Sequence, residues 1–210
     1  MKIEYFSELA QDALVQIYLK NKMNGFFIDI GCNFPADINN TFMLEKSFGW
    51  DGISIDIEDL NNLLGYHGRY KNMTWKELRK TRHLIMDALK INYLELFKDH
   101  SVPDIVDYLT IDLEPPDTTL ECLFMIPFRE YRFNCISFET DEYRSTGRGG
   151  DYRRDKSREY LASLGYILVG SLKKQDDFYI HESLKETISD INFNSVIDRL
   201  VQNGHFEHPL

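Results

Sequence analysis

Apolar runs alternate along the 210-residue chain with blocks whose apolar positions recur at helical spacing. The runs are rich in aromatic and β-branched residues, which predicts strands buried on both faces of a parallel sheet. The predicted strands are 26–30, 54–57, 83–87, 106–112, 134–139, 166–169 and 178–180. A short Lys-Lys-Gln-Asp turn separates the last two. This turn predicts a hairpin, so the final strand should run antiparallel to the rest.

The blocks between the strands predict helices on both faces of a mostly parallel sheet, which is an α/β fold. The predicted helices are 6–23, 41–48, 92–98, 118–125, 152–164 and 184–202, and the polar stretch 59–81 reads as broken helix and loop. No linker or repeat interrupts the pattern, so one domain over 1–210 is expected. It would comprise an N-terminal helix within 1–24, a core over 25–181, and a C-terminal helix and tail over 182–210.

Composition narrows the functional classes. The net charge is -10, which argues against broad nucleic-acid binding because phosphate contact needs a basic face. Cys32, Cys122 and Cys135 form no CxxC pair and indicate reduced, mostly buried thiols. The chain has no signal-type apolar segment and no apolar run of 18 residues, so we expect a cytoplasmic protein without a membrane partner.

The segments Gly25–Asn33 and Gly52–Glu58 together indicate a nucleoside site. They read as a strand, a glycine turn, a helix and a second strand that ends in an acid, which is typical of α/β folds that hold adenosine. Only Gly31 stands at the turn, so a diphosphate would lack a glycine-lined cradle. The pattern therefore favours S-adenosylmethionine, a cofactor with a ribose and no phosphates.

Acidic residues recur where the predicted strands end, at the sheet edge where α/β folds bind ligands. Asp56 can accept both ribose hydroxyls, or it can simply cap the next helix. Asp87 can accept the adenine amino group or serve as a plain turn acid. Asp29 either supports the Gly31 loop or approaches the methionine amine, and Asn33 can face cofactor or substrate. The remaining strand-end acids are Asp112, Glu114, Glu139 and Asp141.

Several segments, in order and spacing, resemble the FkbM-type S-adenosylmethionine-dependent methyltransferases. The resemblance covers about 5–181, and its pieces are Tyr5–Asp12, Gly25–Asn33, Asn40–Lys46, Gly49–Asp56, Asp107–Glu114, Ile136–Glu139, Leu164–Tyr166 and Asp177–Ile180. It implies a Rossmann-like class I methyltransferase fold with seven strands, the last antiparallel. It also implies O-methylation of a hydroxyl on a sugar, polyketide or similar small molecule.

By match to this family, Asp29, Gly31 and Asn33 would line the methionine end and Asp56 would hold the ribose. Asn40 and Thr41 would steady the cofactor loop or face the substrate. The chain departs from the family at Pro115-Pro116, where glycine is usual, and at Cys32, where alanine is usual. The double proline puts substrate contacts by the preceding acids in doubt.

Methyl transfer to a hydroxyl needs alignment of the reacting atoms and removal of a proton. Asp112, Glu114 and Glu139 are the candidate catalytic carboxylates, and one of them could be the base. The same three could instead hold a magnesium ion, although solvated acids are commoner and we favour no metal. His67, His83 and His181 are scattered along the chain and read as packed or surface residues.

The basic segment 141–158 would leave the fifth strand at the ligand edge. We interpret it as a lid over an anionic or hydroxyl-rich acceptor such as a phosphorylated sugar, with a solvated loop as the alternative. The lid predicts that replacing Arg148 and Arg153 by Ala raises the acceptor KM alone.

Two other functions stay open. One is a non-catalytic nucleoside-binding module, and the other is a nicotinamide-dependent oxidoreductase. A nucleic-acid methyltransferase is disfavoured, since Glu114-Pro-Pro-Asp117 lacks the amide and aromatic residues of the tetrad found in enzymes that methylate exocyclic amines.

Overall fold

Seven strands form one sheet in the computed structural model, which describes residues 3–59, 70, 72–186 and 188–204. They are β1 Phe26–Ile30, β2 Asp51–Asp56, β3 Arg82–Ile85, β4 Ile105–Ile111, β5 Arg132–Glu139, β6 Tyr166–Leu172 and β7 Asp176–His181. Their order across the sheet is β3-β2-β1-β4-β5-β7-β6. The first five pair in parallel, whereas β7 runs antiparallel to both β5 and β6. The predicted mostly parallel sheet with an antiparallel last strand is confirmed.

Helices cover both faces of this sheet, as predicted. The helices among the described residues are α1 Gln11–Tyr18, α2 Phe42–Phe48, α3 Trp75–Leu78, α4 Tyr93–Asp99, α5 Asp117–Leu123, α6 Gly150–Ser163 and α7 Phe193–Gln202. On one face, α4, α5 and α6 pack with Ile28; on the other, α1, α2 and α7 pack with Phe27. Neighbouring residues of β1 thus serve opposite layers, because side chains alternate along a strand.

The central strand β1 explains how a polar side chain comes to lie in the core. Its sequence Phe-Phe-Ile-Asp-Ile is almost entirely buried, because β2 and β4 flank it and helices cover both faces. Asp29 is therefore only 2% exposed. Such burial is costly for a carboxylate unless donors surround it.

The two terminal helices are shorter than the pattern predicted. The first begins at Gln11, because the Asp12 carboxylate accepts bonds from the Phe6 N–H (2.8 Å) and the Ser7 hydroxyl (2.6 Å). These bonds hold residues 6–7 outside the helix. The last begins at Phe193, with the Asn192 side chain accepting from the Ser195 N–H at 2.9 Å.

Other predictions from the sequence have mixed outcomes. The three cysteines are free and buried, as predicted. Gly165 follows α6 with φ +84°, the left-handed conformation with which glycine commonly ends a helix. Within the described ranges, no helix has the length and apolar character needed to cross a membrane. The single-domain organisation over 1–210 stays a prediction.

Candidate functional site

A cavity of about 310 Å³ opens at the carboxyl edge of the sheet, where α/β folds bind ligands. Seven of the nine predicted site residues line it: Asp29, Gly31, Asn33, Asp56, Asp87, Asp112 and Glu114. Asn40 lines it too, and its amide donates to the Thr110 hydroxyl at 3.1 Å. The two predicted residues outside the lining are Thr41 and Glu139. Each of them bonds to a carboxyl group that does line it: Thr41 to Asp29, and Glu139 to Asp112.

Gly31 makes the turn after β1 possible. Its φ is +82°, and a Cβ at this position would lie 1.7 Å from the carbonyl oxygen of Asp112. The Gly31 N–H donates to the Ile55 carbonyl at 2.9 Å, so the turn lies between the ends of β2 and β4. No residue with a side chain fits this close approach of two backbones.

Asp56 ends β2 as a half-buried carboxylate facing the cavity. One oxygen accepts from the Asn33 N–H at 2.9 Å, and the other accepts from the Glu58 N–H at 3.0 Å. These bonds fix the carboxylate beside the glycine turn. Each oxygen keeps acceptor capacity for a ligand, because a carboxylate offers about four lone-pair sites.

A buried network supports Asp29. The Thr41 hydroxyl donates to its carboxylate at 2.7 Å, and the Arg79 guanidinium donates to that hydroxyl at 3.0 Å. Burial raises the pKa of Asp29 to about 7, while the Thr41 bond and the Arg79 charge oppose the rise. Thr41, which the family match placed at the cofactor loop or the substrate, is fully buried behind Asp29 and supports that carboxylate rather than lining the cavity. Sequence reasoning missed Arg79, one of five Lys and Arg residues in the ambiguous stretch 59–81.

Asp87 follows β3 and caps the short 3₁₀ helix Ala88–Lys90. Its carboxylate accepts from the Lys90 ammonium at 2.8 Å and from the Leu89 N–H at 3.1 Å. These contacts, chiefly the one to Lys90, lower the pKa of Asp87. Beside it, Ile57, Met86 and Leu89 give the cavity an apolar wall.

Three carboxyl groups stand side by side on neighbouring strands at the other end of the cavity. Asp112 follows β4, Glu139 ends β5, and Asp176 begins β7 directly opposite Glu139. The Gln11 amide donates to Asp176 at 2.8 Å. Gln11 and Asp176 were missed, because the predicted last strand began at 178 and a polar residue before it carried no signal.

Burial and mutual repulsion raise the pKa values in this row of three carboxyl groups, Asp112, Glu139 and Asp176. The pKa of Glu139 is raised, first by burial and then by the Asp112 charge, so Glu139 is protonated and bonds to Asp112. Burial also raises the pKa of Asp112. The pKa of Asp176 is raised to about 8 by burial and by Asp112. Adjacent carboxyl groups behave in this way because they cannot all ionise together.

Glu114 does not join the row, because it is exposed and forms a salt bridge with Arg144. The loop that it begins contains a cis Glu114–Pro115 bond. Among the described residues, no group of three or more His, Cys, Asp or Glu side chains is arranged to hold a metal ion. The alternative in which Asp112, Glu114 and Glu139 share a magnesium ion therefore has no geometric support.

The segment 141–158 is anchored rather than free, and none of its arginines lines the cavity. Arg153 is fully buried and donates to Asp117 (3.1 Å) and to backbone carbonyls, including that of Thr146 (2.8 Å). Arg148 pairs with Glu121 at 2.9 Å. The hypothesis that Arg153 belongs to an acceptor-binding lid was wrong; this arginine holds the loop to α5.

The histidines among the described residues stay outside the cavity lining as well. The ring of His83 stacks on Trp75 with centroids 5.0 Å apart, and His181 bonds to Ser183 at 2.9 Å. His67 lies outside the described residues.

The seven-stranded sheet has counterparts among solved structures. A protein assigned as a caffeoyl-CoA O-methyltransferase from Staphylococcus aureus matches with a TM-score of 0.53 and 12% identity, over 85% of this chain and 86% of that chain. This chain has a Rossmann-like methyltransferase fold. A protein assigned as an rRNA methylase from Clostridium thermocellum matches with a TM-score of 0.49 and 14% identity, over 84% of this chain and 98% of that chain.

No protein-family model and no curated protein matches the chain. The FkbM-type assignment therefore stays a prediction. Identities this low establish the fold alone, and the chemistry has to be argued from the site.

Proposed function

We propose that this chain is an S-adenosylmethionine-dependent methyltransferase that methylates a hydroxyl group of a small molecule. The observation that carries the proposal is the carboxylate of Asp56, fixed beside the one-glycine turn at Gly31 in a methyltransferase fold. A carboxylate at the end of the second strand suits a ribose diol, and the turn offers no cradle for a diphosphate.

The donor set of the cavity fits this cofactor. Asp56 would accept from the ribose hydroxyls, and Ile57, Met86 and Leu89 would contact the adenine ring. Asp29 supplies a carboxyl group for the positively charged methionine end. When bound, S-adenosylmethionine supplies an electrophilic methyl group.

Asp112 is the proposed base. It lines the cavity, and the protonated Glu139 behind it donates a hydrogen bond to it. The raised pKa of Asp112 makes it a better proton acceptor than an exposed aspartate, because a base is most effective when its pKa approaches the working pH. The hydroxyl proton would pass to Asp112, and Glu139 would act by positioning Asp112.

Titration calorimetry with S-adenosylhomocysteine tests the cofactor. We expect wild-type protein to bind it, and Asp56→Asn to weaken binding by about tenfold to a hundredfold, since a charge-assisted bond contributes about 1.5–3 kcal/mol. The matched control is Asp51→Asn, which makes the same change at the opposite end of β2, where the side chain is exposed. Equal affinities for Asp56→Asn and the control would contradict the ribose assignment.

The same protein separates the competing functions. Heat on addition of NAD⁺ but not of S-adenosylhomocysteine would favour an oxidoreductase. Binding of S-adenosylhomocysteine without methylation of any hydroxylated acceptor would favour a non-catalytic nucleoside-binding module. Turnover that Asp112→Asn abolishes while S-adenosylhomocysteine still binds would support the base.

A further inference from the structure

The cavity is lined by acids without a counterbalancing base. Seven carboxyl side chains face it, and none of the described lining residues is Lys, Arg or His. The acids are Glu8, Asp29, Asp56, Asp87, Asp112, Glu114 and Asp176. Low-dielectric walls of one sign concentrate ions of the opposite sign. An anionic acceptor, such as the phosphorylated sugar expected from the sequence, would be repelled.

Four of these acids already have partners in the protein. Asp87 pairs with Lys90, Glu114 with Arg144, Asp56 with two backbone N–H groups and Asp29 with Thr41. Among described residues, no cation forms a salt bridge with the remaining three, Glu8, Asp112 and Asp176. The uncompensated acids therefore concentrate at the acceptor end.

Asp176 is the most buried of the three, at 4% exposed. Because β7 is antiparallel, its first residue lies at the same edge as the last residues of the parallel strands. Gln11 holds one Asp176 oxygen at 2.8 Å. The side chain is thus fixed at the cavity, where a ligand can approach its carboxyl group.

Glu139, opposite Asp176, also shows that described protein groups supply few hydrogen-bond donors at this edge of the sheet. It is 7% exposed, and its buried Oε2 receives no hydrogen bond from any described N–H or hydroxyl group. Its polar neighbour in the row is the carboxyl of Asp112. Glu139 bonds to Asp112 and lies outside the cavity lining, so a ligand would meet the carboxyl groups of Asp112 and Asp176, which do line the cavity.

We infer that the acceptor carries an ammonium group and that Asp176 binds it, which makes Asp176 a specificity-determining residue. This inference rests on the proposed methyltransferase function. Asp112 is the proposed base, so Asp176 is the buried acceptor-end carboxyl that remains for a positively charged group of the acceptor. Gln11 and Gln175 supply amides beside Asp176 for hydroxyl groups. The chemistry fits an amino-polyol such as an amino sugar.

A matched ligand panel tests the inference by calorimetry on protein saturated with S-adenosylhomocysteine. The panel is glucosamine, galactosamine and mannosamine, each with its N-acetyl derivative, and glucose 6-phosphate. We expect at least one amine to bind at least about tenfold more tightly than its N-acetyl form, as a desolvated charge pair implies. Asp176→Asn, which keeps an acceptor for Gln11, should abolish that preference. Asp104→Asn, an exposed change just before β4, should leave it intact.

Proton release gives a second readout that a structural role would not produce. An ammonium group beside Asp176 favours its ionised form, so binding near neutral pH should release a proton into the buffer. The measured heat should then vary with the ionisation enthalpy of the buffer in wild type but not in Asp176→Asn.

Three results would overturn the inference: no amine binding, equal or tighter binding of the N-acetyl or phosphate member, or a product methylated on nitrogen. A nitrogen that accepts a methyl group is not held as ammonium. If S-adenosylhomocysteine itself fails to bind, the proposed function has failed. If it binds and the amines show no preference, the ammonium assignment alone is overturned.

Discussion

The two ends of the cavity are built in different ways. The adenosine end, at Gly31 and Asp56, comes from the neighbouring strands β1 and β2 and the turn that follows β1, and backbone groups hold its carboxylate. The acceptor end, at Asp112, Glu139 and Asp176, comes from three strands, one of them antiparallel, and its carboxyl groups face one another. The first end fixes a charge with amides, whereas the second suppresses ionisation by burial. Binding affinity and substrate choice are therefore expected to respond to different mutations.

The largest expected effect is at Gly31, where the two ends meet. In Gly31→Ala the new Cβ would overlap the Asp112 carbonyl, so the change should cost about 3 kcal/mol or more of unfolding free energy. Urea denaturation measures this loss, and calorimetry should show that S-adenosylhomocysteine binding is lost with it. Gly204→Ala is the control, because Gly204 has a similar φ of +67° and, among the described residues beyond its chain neighbours, no atom lies within 4 Å of a new Cβ. That variant should lose only about 1 kcal/mol. Equal losses in the two variants would refute the close approach.

An intermediate effect is expected from Asp176, at the acceptor end, on the pH dependence of the unfolding free energy. The pKa of Asp176 rises from 3.8 to about 8 on folding, so the folded state binds more protons between these values. Its contribution to stability must therefore fall as pH rises from about 4 through 8. Urea denaturation at pH 5 and pH 9 should show that Asp176→Asn removes about 1–3 kcal/mol of this fall.

The part of the pH dependence that comes from Asp29, whose pKa is raised to about 7, should survive in the Asp176→Asn variant. Asp51→Asn serves as the matched aspartate-to-asparagine control at an exposed position. An unchanged fall in Asp176→Asn would mean that Asp176 is ionised in the folded protein at neutral pH.

The smallest effect is expected at Arg148, which does not line the cavity. Its salt bridge with Glu121 is half exposed, so Arg148→Ala should change the unfolding free energy by no more than about 0.5 kcal/mol. Acceptor affinity, measured by calorimetry, should be unchanged. A selective loss of acceptor binding would restore the lid that the sequence suggested.

The adenosine end was predictable from the sequence because Gly31 and Asp56 directly follow or end strongly apolar strand segments. The buried run before Gly31 and the acid after the second apolar strand fall where they were predicted. The acceptor end was only partly predictable. Asp176 precedes the predicted last strand, and its position depends on how β7 pairs with β5.

The predictions for Arg153 and Thr41 failed because burial, which the spacing of residues does not show, determines what these side chains contact. Arg153 reads as a solvent-facing cation within a basic segment, yet it is buried because four backbone carbonyls and the Asp117 carboxylate accept its hydrogen bonds. Thr41 matches a family motif, but tertiary packing directs its hydroxyl to Asp29 and away from the cavity. One-dimensional patterns carry no information about such partners.

The late position of β7 has a consequence for the order in which the protein is made. Residues 26–112 contain β1 to β4, so the nucleoside seat can assemble while the rest of the chain is still being translated. The strand β5 presents an open edge until the final hairpin emerges, and such edges invite intermolecular pairing. Docking of that hairpin closes the edge and delivers Asp176 in the same event, so a nascent chain that has not yet paired its last strand lacks the means to select an acceptor.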